Sequence, residues 1–371
     1  MSQPGKILVR GVNWLGDAVM TTPALQRLRE AKPNAHISLL THAKLADLWR
    51  HHPAIDSILT FSNDDGVLAV AKKLRAGKFS TALVLPNSPR SALEVFFARI
   101  PERVGLARSW RNLFLTRRVT PRHEEVRMHK RDAAEIQQLI AANRAVATPA
   151  ISASAHQLHH YLHLAAALGA NPEPLPPRLD VTEAEVAAVK KRFSVRDDNH
   201  APLLGINAGA EYGPAKRWPR ERFVAVAIEI QRRTGCQWWI FGGKADEELA
   251  NGIASEIAGA HAGPVNSVRS IAGQTSLREL CAALKACRLV ITNDTGPMHV
   301  AAAVGTPVVV PFGSTLPELT GPGLPGEARH RLIKANVPCS PCFLRECPID
   351  FRCMTGISVE TVIDAALEIL G

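Results

Sequence analysis

Long apolar runs are missing from this chain of 371 residues. No uninterrupted run approaches the roughly 20 residues that a membrane-spanning helix needs, so an integral membrane protein is not expected. The first residues, MSQPGKILV, lead directly into a strand-like segment. They lack the apolar stretch and the small-residue cleavage site of a secretory signal peptide, which predicts a cytoplasmic protein.

Signatures of nucleic-acid binding and low-complexity tracts are also missing. The chain has no zinc-finger spacing, no RNA-binding aromatic motif and no long basic helix, so nucleic acid is not an expected partner. Hydrophobic residues make up 46% of the chain and charged residues 21%, as in ordinary globular proteins. The length predicts two domains.

Positive charge, in contrast, is in excess and unevenly distributed. The formal net charge is +10, and the segment 99–131 holds ten Lys or Arg against three Asp or Glu. Its basic members are Arg99, Arg103, Arg108, Arg111, Arg117, Arg118, Arg122, Arg127, Lys130 and Arg131. Such a cluster predicts an anionic substrate or an anionic membrane surface as partner, with a solvated, solubilising face as the alternative.

Four of the seven cysteines cluster near the C-terminus, as Cys339, Cys342, Cys347 and Cys353. In a cytosolic protein such a group is more often a metal site or free thiols than disulfides. Zinc or an iron–sulfur cluster is chemically possible, but the later spacings are looser than in paired zinc sites. These cysteines therefore remain weak metal candidates. The alternative is a Pro-rich loop with cysteines packed beneath it.

Short apolar runs alternate with helical patterns in both halves of the chain. We predict strands at 6–12, 36–41, 57–61, 81–86, 203–206, 237–241, 289–292 and 308–312. The intervening helices are predicted at 22–32, 44–52, 67–76, 91–100, 220–233, 246–257, 277–286 and 298–304. This alternation is typical of parallel βαβ units, and it predicts two Rossmann-like, doubly wound domains facing a cleft. Ligands would bind at the carboxyl ends of the strands.

A proline-rich break separates the two halves at 169–178. We therefore predict an N-terminal domain over 1–170, a linker over 171–180 and a C-terminal domain over 181–356. Residues 357–371 are predicted as an amphipathic helix, for which packing back onto the N-terminal domain is considered.

Two glycine-containing loops of the C-terminal half are suited to phosphate. The segment 209–219, GAEYGPAKRWP, lies between a predicted strand and a predicted helix, and Gly209 lets the backbone approach a ligand. Lys216 brings positive charge to the start of that helix, where free N–H groups already favour anions. The alternative is an ordinary connection with solvated basic residues.

The second such loop is the segment 293–299, NDTGPMH. Asp294, Thr295 and Gly296 lie at its strand-to-helix turn, where hydroxyl and backbone N–H groups can donate to phosphate oxygens. His299 falls in the first helical turn, where a lone histidine is more often structural than catalytic.

Three other strand-end segments carry candidate ligands. In NWLGD, 13–17, Asp17 is either a catalytic carboxylate or a first-turn charge. In FGGKADEE, 241–248, the acidic residues offer acceptors to ribose hydroxyls, with the helix dipole as an equally good explanation. In LPNSPRS, 85–91, substrate contacts compete with simple helix capping. The candidate residues of these three segments are Asn13, Asp17, Asn87, Ser88, Arg90, Asp246 and Glu247.

Taken in order, the segments 13–17, 209–219 and 293–299 strongly resemble the glycosyltransferase family 9 heptosyltransferases, over nearly the whole chain. The middle segment is most similar to the ADP-heptose:lipopolysaccharide heptosyltransferase II branch. The resemblance implies a GT-B fold, with the acceptor on the N-terminal domain and the nucleotide sugar on the C-terminal domain. It implies inverting transfer of L-glycero-D-manno-heptose from ADP-heptose to the heptosyl-Kdo2-lipid A inner core of lipopolysaccharide.

The resemblance also assigns roles to residues. Asp17 matches the proposed catalytic base, Lys216 the lysine that contacts the donor diphosphate, and residues 294–296 the donor-binding loop. The acid that binds the ribose is harder to place, because Lys244 stands near its expected position and leaves Asp246 or Glu247 as substitutes. No cofactor is expected, since lysine and helix N–H groups can stabilise a diphosphate without a metal.

The implied partners are the ADP-sugar donor, the lipopolysaccharide inner-core acceptor and the cytoplasmic membrane surface, without nucleic acid. Peripheral attachment of a cytoplasmic enzyme to the inner face of the inner membrane stays open. Three alternatives also stay open. They are heptosyltransferase I or another family 9 transferase, a non-hydrolysing nucleotide-sugar epimerase, and a non-catalytic nucleotide- or glycan-binding protein.

Overall fold

Each half of the sequence builds a six-stranded parallel sheet. A computed structural model describes residues 5–142, 151–195, 201–261 and 266–371. The strands of the first sheet are β1 (Lys6–Arg10), β2 (His36–His42), β3 (Ser57–Phe61), β4 (Thr81–Val84), β5 (Glu102–Leu106) and β6 (Arg117–Val119). Those of the second sheet are β7 (Leu203–Asn207), β8 (Gln237–Phe241), β9 (Val268–Ser270), β10 (Leu289–Thr292), β11 (Val308–Phe312) and β12 (Arg331–Lys334).

Helices connect the strands. Those of the described residues are α1 (Leu15–Met20), α2 (Thr22–Ala31), α3 (Val67–Ala76), α4 (Pro89–Phe97), α5 (Ala133–Ala141), α6 (Leu158–Ala166), α7 (Glu183–Arg192), α8 (Arg220–Thr234), α9 (Glu247–Gly259), α10 (Leu277–Ala286), α11 (Gly296–Ala303), α12 (Pro317–Thr320), α13 (Arg352–Thr355) and α14 (Val359–Leu370). None of the helices in these ranges combines the length and the apolarity that crossing a bilayer requires.

The two sheets share one topology. Their strand orders are β3-β2-β1-β4-β5-β6 and β12-β11-β10-β7-β8-β9, and every neighbouring pair is parallel. In each sheet the chain first builds outward in one direction and then crosses over to build in the other. The predicted doubly wound, Rossmann-like architecture is thereby confirmed in both halves.

Burial explains why these segments are strands. Every residue of β7, β8, β10 and β11 is buried, as expected for parallel strands that helices cover on both faces. The strands that the sequence did not predict include β6, RRV, and β12, RLIK, which are short and carry charge. Charged residues on short edge strands suppress unwanted pairing, and they also hide the strand pattern.

The chain forms two compact units, which are Met1–Glu125 with Ser154–Asp180 and Val126–Ala153 with Val181–Gly371. The segment 126–153 thus belongs to the second unit, whereas the predicted boundaries placed it in the first domain. The reason is a set of contacts within the second unit. Arg131 N–H donates to the Cys342 carbonyl at 3.1 Å, and Ile136 of α5 packs with Cys339 and Cys342.

The final helix, α14, packs within the second unit, whereas the sequence analysis considered that it packs back onto the first domain. Its buried residues Val362, Ile363 and Ala366 belong to the hydrophobic core of the second unit. There α14 packs against α8 and the strands β10, β11 and β12. An amphipathic pattern predicts that a helix buries one face, but it does not tell which core that face will meet.

Candidate active site

The loops that carry the sequence motifs follow adjacent strands. In the first sheet β1 pairs with β4, so the segments 13–17 and 85–91 start from neighbouring strand ends. In the second sheet β7 pairs with β10, so the segments 209–219 and 293–299 do the same. In both sheets this is the point where the chain reverses its direction of building, and doubly wound folds bind ligands there.

A buried ion pair joins the two loops of the second unit. Lys216 Nζ lies 2.5 Å from Asp294 Oδ2, and the two side chains are 13% and 4% exposed. The hydroxyl of Thr315, beyond the end of β11, donates to the same carboxylate oxygen at 2.5 Å. Asp294 therefore fixes the position of the lysine, and it is itself fixed from a third loop.

Asn293 holds the backbone of the 209–219 loop. Its Oδ1 accepts from the Trp218 N–H at 3.0 Å, and its Nδ2 donates to the Ala208 carbonyl at 2.7 Å. Arg217 donates to the Ala210 carbonyl at 3.4 Å across the same loop. The loop is thus anchored on both sides of Lys216, which restricts where its ammonium group can point.

Tyr212 lies between two cations. Its ring centroid is 4.9 Å from Lys216 Nζ and 5.2 Å from the guanidinium carbon of Arg345. Its hydroxyl donates to the Phe343 carbonyl at 2.8 Å, and burial raises its pKa. Gly213 has φ +151°, and a Cβ there would collide with the Arg345 carbonyl oxygen. Only glycine adopts such a conformation readily, which explains the residue at this position.

Helix α11 begins beside the ion pair. Thr295 is its N-cap in an extended conformation with φ −152°, its side chain makes no capping hydrogen bond, and the helix starts at Gly296. The start of a helix carries a partial positive charge, which favours an anion there. His299 is 5% exposed within α11, which favours the structural interpretation of this histidine.

Gly209 and Asp246 lie against each other. A Cβ at Gly209 would be 2.6 Å from Asp246 Oδ2, the oxygen that accepts from the Gly243 N–H at 3.1 Å. Glu247 lies beside Gly273, which has φ +70°. The two candidate acids are therefore close to loops that follow β7, β8 and β9, while Lys244 is exposed.

In the first unit Asp17 lies in the first turn of α1. Gln157, next to the start of α6, donates to Asp17 Oδ1 at 3.2 Å and to the Tyr161 hydroxyl at 3.0 Å. Burial, with a further contribution from Asp17, raises the pKa of Tyr161, so its phenol stays protonated. Gln157 thus links the carboxylate to the core, although 140 residues separate the two in sequence.

A buried network supports Asn13 and Arg90. Arg10 Nε lies 2.9 Å from Glu94 Oε2, with both side chains nearly inaccessible, and Arg10 also donates to Asn13 Oδ1 at 3.0 Å. Arg90 donates to Glu94 Oε1 at 3.0 Å and to the Asp65 carbonyl at 2.5 Å. Glu94 therefore holds Arg90 directly and holds Asn13 through Arg10.

Asn87 and Ser88 have structural partners. Ser88 caps α4 by accepting from the Ser91 N–H at 3.3 Å, which was the alternative to substrate contact. Asn87 Oδ1 accepts from Arg111 at 3.2 Å. Arg111 is fully buried, and its Nε and second terminal nitrogen have no hydrogen-bond partner among the described residues. Burial, and then the nearby Arg108, lowers its pKa to about 10.

The chain is similar to known proteins. The family model described as glycosyltransferase family 9 (heptosyltransferase) matches residues 67–351. The chain belongs to that family. Among the relatives of this family 9 glycosyltransferase is the lipopolysaccharide heptosyltransferase 2 of Salmonella typhimurium, 32% identical over 330 residues and 85% of each chain. The Escherichia coli lipopolysaccharide heptosyltransferase 2 is 31% identical over 325 residues, again 85% of each chain.

A solved structure agrees with the relatives. The E. coli ADP-heptose lps heptosyltransferase II has a TM-score of 0.75 and 26% sequence identity, over 98% of each chain. The family resemblance and the GT-B fold class that the motifs implied are thereby confirmed. The family 9 chain is therefore a glycosyltransferase.

Sequence reasoning found some of the site and missed the rest. It singled out Lys216 and Asp294 separately, and the structure pairs them. The partners that it missed are Tyr212, Thr315 and Arg345 in the second unit and Gln157 in the first. Thr315 follows β11, so the rule of strand ends could have found it. Arg345 lies in the cysteine-rich segment, where the pattern gave no such signal.

The four clustered cysteines are mainly buried. Cys339, Cys342 and Cys353 are buried, and Cys347 is half-buried with its Sγ accepting from the Phe351 N–H at 3.3 Å. Burial raises the pKa of Cys353 to about 12. Across the described ranges, no group of three or more His, Cys, Asp or Glu side chains has an arrangement that could hold a metal ion.

Proposed function

We propose that this family 9 glycosyltransferase moves L-glycero-D-manno-heptose from ADP-heptose to the heptosyl-Kdo2-lipid A inner core of lipopolysaccharide. The observation that carries the proposal is the buried Lys216–Asp294 pair beside the start of α11, in a chain 32% identical to a lipopolysaccharide heptosyltransferase 2. The pair fixes the ammonium group of Lys216 where a doubly wound sheet receives a ligand.

The second unit is assigned to the donor. When the bond between the anomeric carbon and ADP breaks, negative charge develops on the departing diphosphate. Lys216, Arg345 and the partial positive charge at the start of α11 offset that charge, as preorganised groups do in other transfer reactions. Thr295 offers a hydroxyl to the same oxygens. We assign the ribose hydroxyls to Asp246 or Glu247, which lie by the loops after β7 to β9.

The first unit is assigned to the acceptor. Asp17 takes the proton of the acceptor hydroxyl, whose oxygen attacks the anomeric carbon on the face opposite ADP. One glycosidic bond forms as the bond to the diphosphate breaks, so the configuration is inverted. Gln157 positions the carboxylate of this base by donating to one of its oxygens. Asn13 and Arg90, held by the Arg10–Glu94 pair, are assigned to acceptor contacts.

The acceptor also suggests where the enzyme works. A lipid-linked sugar is met at a membrane, and the basic segment 99–131 suits an anionic surface. We therefore assign a cytoplasmic location at the inner face of the inner membrane.

A panel of acceptors tests the proposal. Purified protein is incubated with ADP-heptose and heptosyl-Kdo2-lipid A, Kdo2-lipid A or no acceptor, and release of ADP is followed. Release that depends on heptosyl-Kdo2-lipid A supports the proposal. Faster release with Kdo2-lipid A would identify a heptosyltransferase I activity instead, and conversion of the sugar without acceptor would identify an epimerase.

A further inference from the structure

An exposed apolar strip on the first unit plays no part in the site described above. The 3₁₀ turn Arg111–Phe114 follows β5 and leads to β6. Trp110, which precedes the turn, is 82% exposed, and Leu113 is 73% exposed. A contiguous exposed apolar patch marks an interaction site, whereas a single exposed apolar side chain does not.

The turn anchors one of its faces in the fold. Side chains three apart eclipse in a 3₁₀ helix, so Arg111 and Phe114 share a face that Leu113 does not occupy. Arg111 is fully buried, and the Phe114 ring packs edge-on against Phe96 of α4 with a centroid distance of 5.3 Å. One face is thus anchored in the fold, and the other is held outward.

Hydrogen bonds within the loop keep this arrangement in place. The Arg108 N–H donates to Asn112 Oδ1 at 2.9 Å, and Arg118 Nε donates to the Asn112 carbonyl at 3.2 Å. Trp110 itself has φ +67°, a conformation that bulky residues rarely adopt. The exposed indole therefore belongs to a fixed turn.

The strip continues along the end of α4. Phe96 and Phe97 are 38% and 39% exposed, and their rings pack edge-on at 5.4 Å. They border a groove of about 500 Å³. The residues that line the groove are Arg75, Phe96, Phe97, Arg99, Ile100, Pro101 and Arg103. Three of these seven residues are arginines and none is acidic. The groove is therefore complementary to an anionic group that lies next to apolar groups.

We infer that this strip, defined by Phe96, Phe97, Trp110 and Leu113 with the arginine groove, docks the enzyme on a bilayer of anionic phospholipid. Indole and aliphatic groups enter the headgroup boundary, where aromatic side chains are favoured. The arginines meet lipid phosphates, a contact worth about a fivefold gain in affinity for each basic residue near the surface. The inference rests on the proposed function in one respect: the proposed acceptor is linked to a lipid, and the strip is the surface with which the enzyme would reach that lipid's membrane.

Vesicle binding tests the inference without any substrate. Wild-type protein and the variant Trp110→Ser/Leu113→Ser are sedimented with vesicles of phosphatidylglycerol and phosphatidylethanolamine, or of phosphatidylcholine alone. The control is Leu68→Ser, because Leu68 on α3 is 68% exposed and so matches Leu113 in exposure. We expect at least about a tenfold loss of partition to anionic vesicles in the double variant, and a loss below twofold in the control.

A second variant, Arg75→Glu/Arg99→Glu, tests the charged part of the strip. It should lose binding to anionic vesicles by at least about tenfold and weaken the salt dependence of that binding. Undiminished binding in either double variant would overturn the inference, as would equal binding to phosphatidylcholine. Self-association that the Trp110→Ser/Leu113→Ser change abolishes, without vesicle binding by wild type, would identify a second copy of the chain as the partner instead.

The outcome is separable from the proposed function. With a deacylated, water-soluble acceptor, the Trp110→Ser/Leu113→Ser variant should transfer heptose at the wild-type rate. Absence of transfer by wild-type protein would contradict the proposed function and leave the vesicle result to be judged alone. Loss of transfer in the variant together with a lowered thermal midpoint would show that the strip stabilises the fold, which contradicts the docking role.

Discussion

The Lys216–Asp294 pair offers a prediction whose size follows from the structure. We consider Lys216→Met, Asp294→Asn and the double variant. Breaking a buried ion pair by removing one partner costs about 3–5 kcal/mol, because the remaining charge is left buried. Lys216→Met leaves Asp294, 4% exposed, with the Thr315 hydroxyl as the side-chain donor that the described residues still offer. We expect a loss of about 3 kcal/mol in the free energy of unfolding.

The loss of stability in the double variant should be smaller than the sum of the losses in the two single variants. Asp294→Asn keeps the shape and an acceptor for Thr315, and it leaves a lysine that is 13% exposed, so we expect a loss of about 2 kcal/mol. The double variant buries no unpaired charge, and we expect a total loss of about 3 kcal/mol. The coupling between the two sites is then about 2 kcal/mol, within the range for residues in direct contact.

Urea denaturation followed by tryptophan fluorescence measures these values, since Trp218, Trp238 and Trp239 are buried in the second unit. The matched control is Lys244→Met, an exposed lysine after β8, which should change stability by less than about 0.5 kcal/mol. Losses that add within about 0.5 kcal/mol would refute the reasoning, because they would show that the pair is not energetically coupled.

Four further predictions concern the rest of the molecule. Asp17→Ala should lower kcat by about 10²- to 10⁴-fold, and Gln157→Leu should lower it by about tenfold. The affinity for ADP, measured by calorimetry, should be unchanged in both variants. A normal kcat for Asp17→Ala would refute the assignment of Asp17 as the base. Gly213→Ala should lower stability by about 2–3 kcal/mol in urea, because its φ of +151° is strained for alanine, and a neutral change would contradict this. Burial lowers the pKa of His52 and of His330 to about 4, so the stability that their neutral forms contribute is complete above pH 6.5 and is lost as the pH falls through 4. The urea midpoint should therefore fall as the pH is lowered from 6.5 to 4, and it should fall less steeply in His52→Asn than in the wild type. An equal slope in the two proteins would contradict the buried, neutral state of His52. Turnover after treatment with EDTA should stay within about twofold of the untreated rate, because Lys216 and helix N–H groups take the leaving charge, and a loss restored by a divalent metal would contradict that account.

The loops that follow the strands of the second sheet could be predicted, because each is marked by a local sequence pattern and a general rule of parallel sheets relates their positions. An apolar run, a glycine-containing loop and a helix locate the segments 209–219 and 293–299. The rule that parallel strands end at one edge of the sheet then places Lys216 and Asp294 near one another. The same rule applied to β11 would have reached Thr315.

Other contacts were not predictable, because they join distant segments through a core that no local pattern reveals. Gln157 meets Asp17 across 140 positions of the sequence. The amphipathic pattern of α5 indicates a buried face, yet the partners of Ile136 are cysteines some 200 positions later. Edge strands such as β6 carry charge instead of an apolar run, so their pattern resembles that of a loop.

The central claim is that this chain transfers one heptose to a lipid-linked inner core. Mass spectrometry of heptosyl-Kdo2-lipid A after incubation with ADP-heptose tests it most directly. We predict that the lipid gains the mass of a single heptosyl unit with wild-type protein and gains almost none with Asp17→Ala. A lipid of unchanged mass, from wild-type protein that is folded and binds ADP, would contradict the claim.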